Sequence, residues 1–173
     1  MRIVVLGLGN PVLADDAVGL EVAERVEALL ASGFAPAGVE IEVCRNESGG
    51  WDVLDYVEDA DALVLVDAST DSTLAPGELR WYDPRALACF TSGRLRGVHN
   101  IDMFTAIDYA RRMGTRVPAA IHVLGIGVED VLTLTEECTP RVREAVEPAA
   151  RRVLECLGRL AGGRGAADVP ERG

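Results

Sequence analysis

Histidine, aromatic residues and positive charge are all scarce in this chain. It has two histidines, His99 and His122, and 17 Lys and Arg against 28 Asp and Glu. The helical zinc-protease motif H-E-x-x-H is absent, because Asn100-Ile101 follows His99 and Val123-Leu124 follows His122. A formal charge of −11 repels a phosphate backbone, which excludes nucleic acid as a natural partner. Such a surface suits solubility, attraction of a metal ion, or a basic peptide segment, and most of it serves as ordinary solvated surface. The four cysteines, Cys44, Cys89, Cys138 and Cys156, form no C-x-x-C pair, which excludes a disulfide framework and a thiolate zinc site. Reduced, buried thiols are the expectation. Cys138 stands just before an expected helix start, where a thiol is either a stabilised thiolate or inert.

Larger absences narrow the class further. No apolar run reaches the length of a membrane span, and no cleavage signature follows Met1-Arg2-Ile3-Val4-Val5-Leu6. A cytoplasmic, soluble chain is expected. The G-x-S-x-G nucleophile elbow and the Walker A pattern are missing. Gly7 and Gly9 open like a dinucleotide fingerprint, but Val12 stands where a third glycine would let helix and strand approach, which argues against a nucleotide-binding domain.

What the chain does have is apolar patterning: 49% of its 173 residues are hydrophobic, enough for a substantial core. One domain over residues 1–161 is expected, followed by a Gly- and charge-rich disordered tail, 162–173. Ile3 to Leu6 reads as a buried strand, and Val18, Val22, Val26, Leu29 and Leu30 recur at helical spacing up to Gly33. Val39 to Val43 alternates as a half-buried strand. After the Ser48-Gly49-Gly50 turn, a short helix runs through Trp51, Leu54 and Val57. Ala62 to Val66 is continuously apolar, the mark of a strand covered on both faces. Beyond the Pro76-Gly77 turn come a strand over 78–82, a helix over 101–113 and a strand over 119–126. Thr139-Pro140 opens a last helix with Val142, Val146, Ala149, Val153 and Leu157 on one face and a kink expected at Pro148. This alternation indicates α/β class: a three-layer α/β/α sandwich with a mainly parallel, twisted sheet.

Ligands in such folds bind beyond the carboxyl ends of the strands, and three chemistry-bearing residues fall there. Asp16 lies in the loop after the first strand, Asp67 ends the central apolar strand, and His99 sits in the loop Gly93 to Asn100. Two carboxylates and an imidazole suit a borderline divalent metal with open positions. Each has an ordinary alternative: Asp16 as a helix cap, Asp67 bonding nearby amides, His99 as a plain loop residue. His122, inside a strand, reads as structural, facing solvent or satisfied by a core partner, with metal ligation the lesser reading.

The ordered motifs also carry a family resemblance. Gly7-Leu8-Gly9-Asn10-Pro11 is similar to the opening of bacterial peptidyl-tRNA hydrolases, but the histidine segment that should follow is missing and the charge opposes tRNA. Gly7-Leu8-Gly9-Asn10 with Asp15-Asp16-Ala17-Val18-Gly19 resembles instead the opening motif of the hydrogenase maturation proteases. Ser48-Gly49-Gly50, Leu65-Val66-Asp67-Ala68, Pro76-Gly77-Glu78, Asp83-Pro84, Val98-His99-Asn100, Gly125-Ile126 and Glu147-Pro148 resemble that family's later motifs in order. The resemblance covers nearly everything up to the tail. It implies an α/β/α sandwich and removal of a C-terminal extension from the large subunit of a nickel–iron hydrogenase after nickel insertion. It places the family's metal-binding acid, second acid and histidine on Asp16, Asp67 and His99. The first acid is often glutamate in that family, so Asp16 is one methylene shorter, and Ala17 stands at a frequent glycine.

Together these expectations describe a peptidase whose nickel arrives on the precursor, the large-subunit substrate being its partner. Hydrolysis would use the ion as Lewis acid or an acid such as Asp16 as general base. A non-catalytic, metal-dependent escort module predicts the same ligands and differs only in leaving the precursor uncut.

Overall fold

A computed structural model describes residues 1–47, 52–84 and 100–163, with the side chains of residues 100–104 outside that description. The expected Ser48-Gly49-Gly50 turn, Trp51, Cys89, His99 and the tail from residue 164 lie outside the described residues.

Among the described residues five strands form one sheet: β1 (Arg2–Leu8), β2 (Glu40–Asn46), β3 (Ala62–Ser69), β4 (Leu79–Tyr82) and β5 (Ala120–Gly127). Their spatial order is β2-β1-β3-β5-β4, parallel throughout except for β4, which runs antiparallel on the edge beside β5. All eight residues of β3 are buried at the sheet's centre, which explains the unbroken apolar run Ala62–Val66. Edge strand β2 alternates Glu40, Ile41, Glu42, Val43, with Ile41 and Val43 turned to the core.

Helices α1 (Val18–Leu29) and α4 (Pro140–Ala161) cover one face of the sheet. There Val18, Val22, Val26, Val142, Ala149, Val153 and Leu157 meet Ile3, Val5, Val64 and Val66. The other face holds Val4, Leu6, Leu63 and Leu65 against α2 (Val53–Val57) and α3 (Asn100–Arg112), through Val53, Val57, Ala106 and Ile107. This is the expected three-layer sandwich. The first helix extends by one more turn before Gly33, at φ 98, ends it in a conformation glycine adopts without strain. Pro140 starts α4 and Pro148 lies within it. No described helix is long and apolar enough to cross a membrane.

The connections decide where a ligand can sit. The chain leaves β1 over the α1 face to reach β2, and approaches β5 from β3 by way of α3 on the opposite face. The carboxyl ends of the neighbouring strands β1 and β3 therefore form the topological switch point, where crevices open in sheets of this kind.

Candidate active site

Asp16 reaches the switch point because α1 sits unusually close to the strands. A Cβ on Gly19 would lie 2.2 Å from the Leu8 carbonyl oxygen and 2.5 Å from that of Val66, so only glycine lets the first helical turn rest there. Gly9 likewise passes against the backbone of Asp16, where a Cβ would sit 2.0 Å from the Asp16 carbonyl oxygen. Between them Ala14–Ala17 forms a single 3-10 turn that runs into α1 and packs on β3. Asp16 is buried in that turn. The residue capping α1 is Ala17, with no side-chain cap bond, so Asp16 is not the helix cap its position suggested.

Asp67 belongs to β3, the strand on which this turn packs. The strand β3 runs on to Ser69, so Asp67 lies within it rather than at its end, one residue past the Val66–Gly7 pair and itself paired with Gly125. It is 3% exposed, and its Oδ1 accepts the Ala68 amide at 2.8 Å. Two buried carboxylates thus flank the switch point. Among the described residues no group of three or more His, Cys, Asp or Glu could hold a metal ion. His99, the third expected member, lies outside the described residues, and helix α3 begins at the residue that follows it.

The site also contains a residue the sequence pattern undervalued. Asp15 is fully buried and clasps two segments more than a hundred positions away. Its Oδ2 accepts the Glu129 amide (2.9 Å), the Asp130 amide (3.0 Å) and the Thr139 hydroxyl (3.0 Å). Its Oδ1 accepts the Thr139 amide at 2.6 Å. The Thr139 hydroxyl, expected to cap α4, is spent on Asp15 instead, and no side-chain cap bond forms at that helix start. The adjacent Ala14 is held at φ 35, a left-handed conformation costly for a residue with a Cβ, while its amide donates to the Thr135 carbonyl at 2.9 Å. The Asp15-Asp16 doublet was the available signal, but nothing local separates the clasp from the site carboxylate.

A second polar group continues β3 beyond Asp67. The Ser69 hydroxyl lies 3.0 Å from that of Tyr82, whose ring packs over Gly125, the register partner of Asp67. Asp71 accepts the Thr73 amide (3.0 Å) and hydroxyl (2.8 Å) and faces Arg80 at 3.5 Å. Burial pushes the Tyr82 phenol above its ordinary range, so it stays protonated as a hydrogen-bonding group.

The remaining candidates resolve as structure. His122 lies on the α4 face of β5, 7% exposed, and its Nε2 has no hydrogen-bond partner. Of the two structural outcomes expected of it, facing solvent is overturned by its burial, and Nε2 is not satisfied by a core partner. Trp81 packs edge-on against its ring at 6.4 Å. Burial, with the charge of Arg159 behind it, lowers its pKa. Cys138 is buried, with its thiol 3.3 Å from the Glu21 carboxylate, and burial together with Glu21 pushes its pKa up to about 12. It is inert, not a stabilised thiolate.

With this geometry in place, comparison with known proteins points one way. A profile of the hydrogenase maturation protease family matches residues 25–156. A hydrogenase 2 maturation protease of Escherichia coli (strain K12) is 28% identical over 157 residues, spanning 91% of each chain. The solved hydrogenase maturating endopeptidase HybD from E. coli superposes with a TM-score of 0.76 at 30% identity, covering 94% of each chain. A [NiFe] hydrogenase maturation protease HycI from Thermococcus kodakarensis KOD1 does so at 0.62 and 27%, covering 90% of this chain and 92% of that one.

Proposed function

The chain belongs to the hydrogenase maturation protease family and is a peptidase, and from that premise we propose that it cuts the C-terminal extension from the large-subunit precursor of a nickel–iron hydrogenase, after nickel has been inserted. The observation that carries this reading is the pair of buried carboxylates beside the switch point of the sheet, Asp16 on the turn between β1 and α1 and Asp67 on β3.

Nickel is part of the substrate in this scheme. It arrives held by cysteines of the precursor, and Asp16, Asp67 and His99 complete its coordination. Carboxylate oxygens and an imidazole nitrogen are suitable donors for a borderline divalent ion. Burial of the two acids strengthens their attraction for a cation, because little water screens them. Their binding energy is available only when the precursor carries its metal, so the site reads metallation before it cuts. The docked peptide then lies beside the ion and the acids, and hydrolysis proceeds by polarisation of the scissile carbonyl or by Asp16 accepting a proton from water.

The test is cleavage of nickel-loaded against nickel-free precursor, followed by mass spectrometry. Only the loaded form should be shortened; equal processing of both removes the metal-reading role. Asp16→Asn, Asp67→Asn and His99→Ala should each lower kcat/KM by about a hundredfold or more. Their melting temperatures should stay near that of the parent. Normal cleavage by all three would mean that the site lies elsewhere.

A further inference from the structure

The loop that leads into Asp16 pairs with the connector between β5 and α4, and the joined loops carry an apolar outer edge. Leu13 bridges to Leu134 and Thr135, and the Thr135 amide donates to the Val12 carbonyl at 3.1 Å. Along this seam Leu132 and Leu134 are 86% and 80% exposed and Val12 46%. These side chains are displayed on a braced loop. The Asp130 carboxylate accepts the Leu132 amide (2.9 Å) and the Thr133 amide (3.0 Å), while Asp15 grips the Glu129 and Asp130 amides from beneath. Apolar side chains clustered in water and fixed in place mark an interaction surface. Phe34 is exposed on another part of the fold, and Tyr109 and Met113 lie one turn apart at the end of α3, away from this seam.

Charge specifies the partner. Residues 129–137 contain Glu129, Asp130, Glu136 and Glu137 and no Lys or Arg; Arg143 lies 3.0 Å from Glu137. A second copy of this chain would bring the same acids against themselves and be repelled. A segment with Lys or Arg beside apolar side chains would be attracted.

We propose that the ridge of Val12, Leu132 and Leu134 docks the stretch of the precursor chain next to the scissile bond, a stretch with apolar side chains flanked by Lys or Arg. This rests on the proposed function. The occupant follows from continuity: only Leu13, Ala14 and Asp15 separate Val12 from Asp16, so an extended peptide on the ridge needs about four residues, at roughly 3.3 Å each, to reach the carboxylates.

The probe is the nickel-loaded large-subunit precursor, with binding measured by biolayer interferometry and cleavage in parallel. Leu132→Ser with Leu134→Ser removes the ridge without touching the core. The double variant should raise both Kd and KM by about tenfold or more, leave kcat within about twofold, and leave the melting temperature unchanged. Raising salt from about 0.05 M to about 0.3 M should weaken wild-type binding, and Glu136→Lys should do so at low salt. Unchanged Kd and KM in the double variant would overturn the ridge assignment while leaving the peptidase reading intact. Wild-type protein that binds the precursor through the ridge and never cuts it would overturn the proposed function and leave the ridge standing. Wild-type protein that neither binds nor cuts it would overturn both.

Discussion

Replacing Asp15 should destabilise the protein far more than replacing either site carboxylate, because its carboxylate binds donors from two distant segments of the chain. Asp15→Ala strands three backbone amides and one hydroxyl that now donate to it at 2.6–3.0 Å. A hydrogen bond to a charged acceptor contributes about 1.5–3 kcal/mol, and four bonds sharing one carboxylate are far from additive. The loops can also open enough to hydrate some of the abandoned donors. About 4 kcal/mol is the resulting expectation, at the upper end of what single substitutions do. With a urea dependence of about 2 kcal/mol per molar for a domain of this size, the unfolding midpoint should fall by about 2 M. Asp15→Asn should cost less, about 2–3 kcal/mol. Its single oxygen can replace Oδ2 and keep three donors, but its amide then confronts the Thr139 N–H. Thr139→Val removes one bond and should cost about 1 kcal/mol, with strong coupling to Asp15→Ala in a double-mutant cycle. Urea unfolding followed by circular dichroism reads all three. An Asp15→Ala variant within about 1 kcal/mol of wild type would refute the clasp.

Three further outcomes follow from other parts of the fold. Gly19→Ala must push α1 off the carbonyls of Leu8 and Val66, and should cost about 3 kcal/mol and lower cleavage by displacing Asp16, as checked by unfolding and activity together. His122 has a depressed folded-state pKa, so the unfolded chain binds its proton more readily. Stability from this source is therefore whole above the ordinary imidazole value of about 6.5 and declines as pH falls below it, until the folded-state value is passed. His122→Phe should flatten that acid limb in melts taken between about pH 7 and pH 5. Cys138 should resist alkylation in the native protein at about pH 8 and react after unfolding, and mass spectrometry of the labelled chain would expose a reactive thiolate if one existed.

The layers of the fold were legible because periodicity reports burial. The unbroken Ala62–Val66 run announced a strand covered on both faces, and α1 and α4 showed their apolar faces at helical spacing. Strand length was less legible: β3 continues through Asp67, Ala68 and Ser69, and the Ser69 hydroxyl meets Tyr82, a residue that arrives from an edge strand. The position of Asp67 could be anticipated, but its pairing with Gly125 could not, since register depends on a strand more than fifty residues away.

Asp16 shows the same limit more sharply. Val12 stands where the dinucleotide pattern has the third glycine that lets helix and strand approach, which argues against a nucleotide-binding domain. The close approach exists, delivered by Gly19 one turn deeper, after a loop long enough to place two adjacent acids between the glycines. Those acids then divide the work: the first binds amides of Glu129, Asp130 and Thr139, and the second is buried in the turn that packs on β3, the strand of Asp67. Neighbours in sequence with the same side chain are distinguished only by partners from the far end of the chain. The spacing from Gly9 to Gly19 is thus what converts a nucleotide-type turn into a platform for a carboxylate. Shortening that loop should abolish the site while leaving the sheet intact.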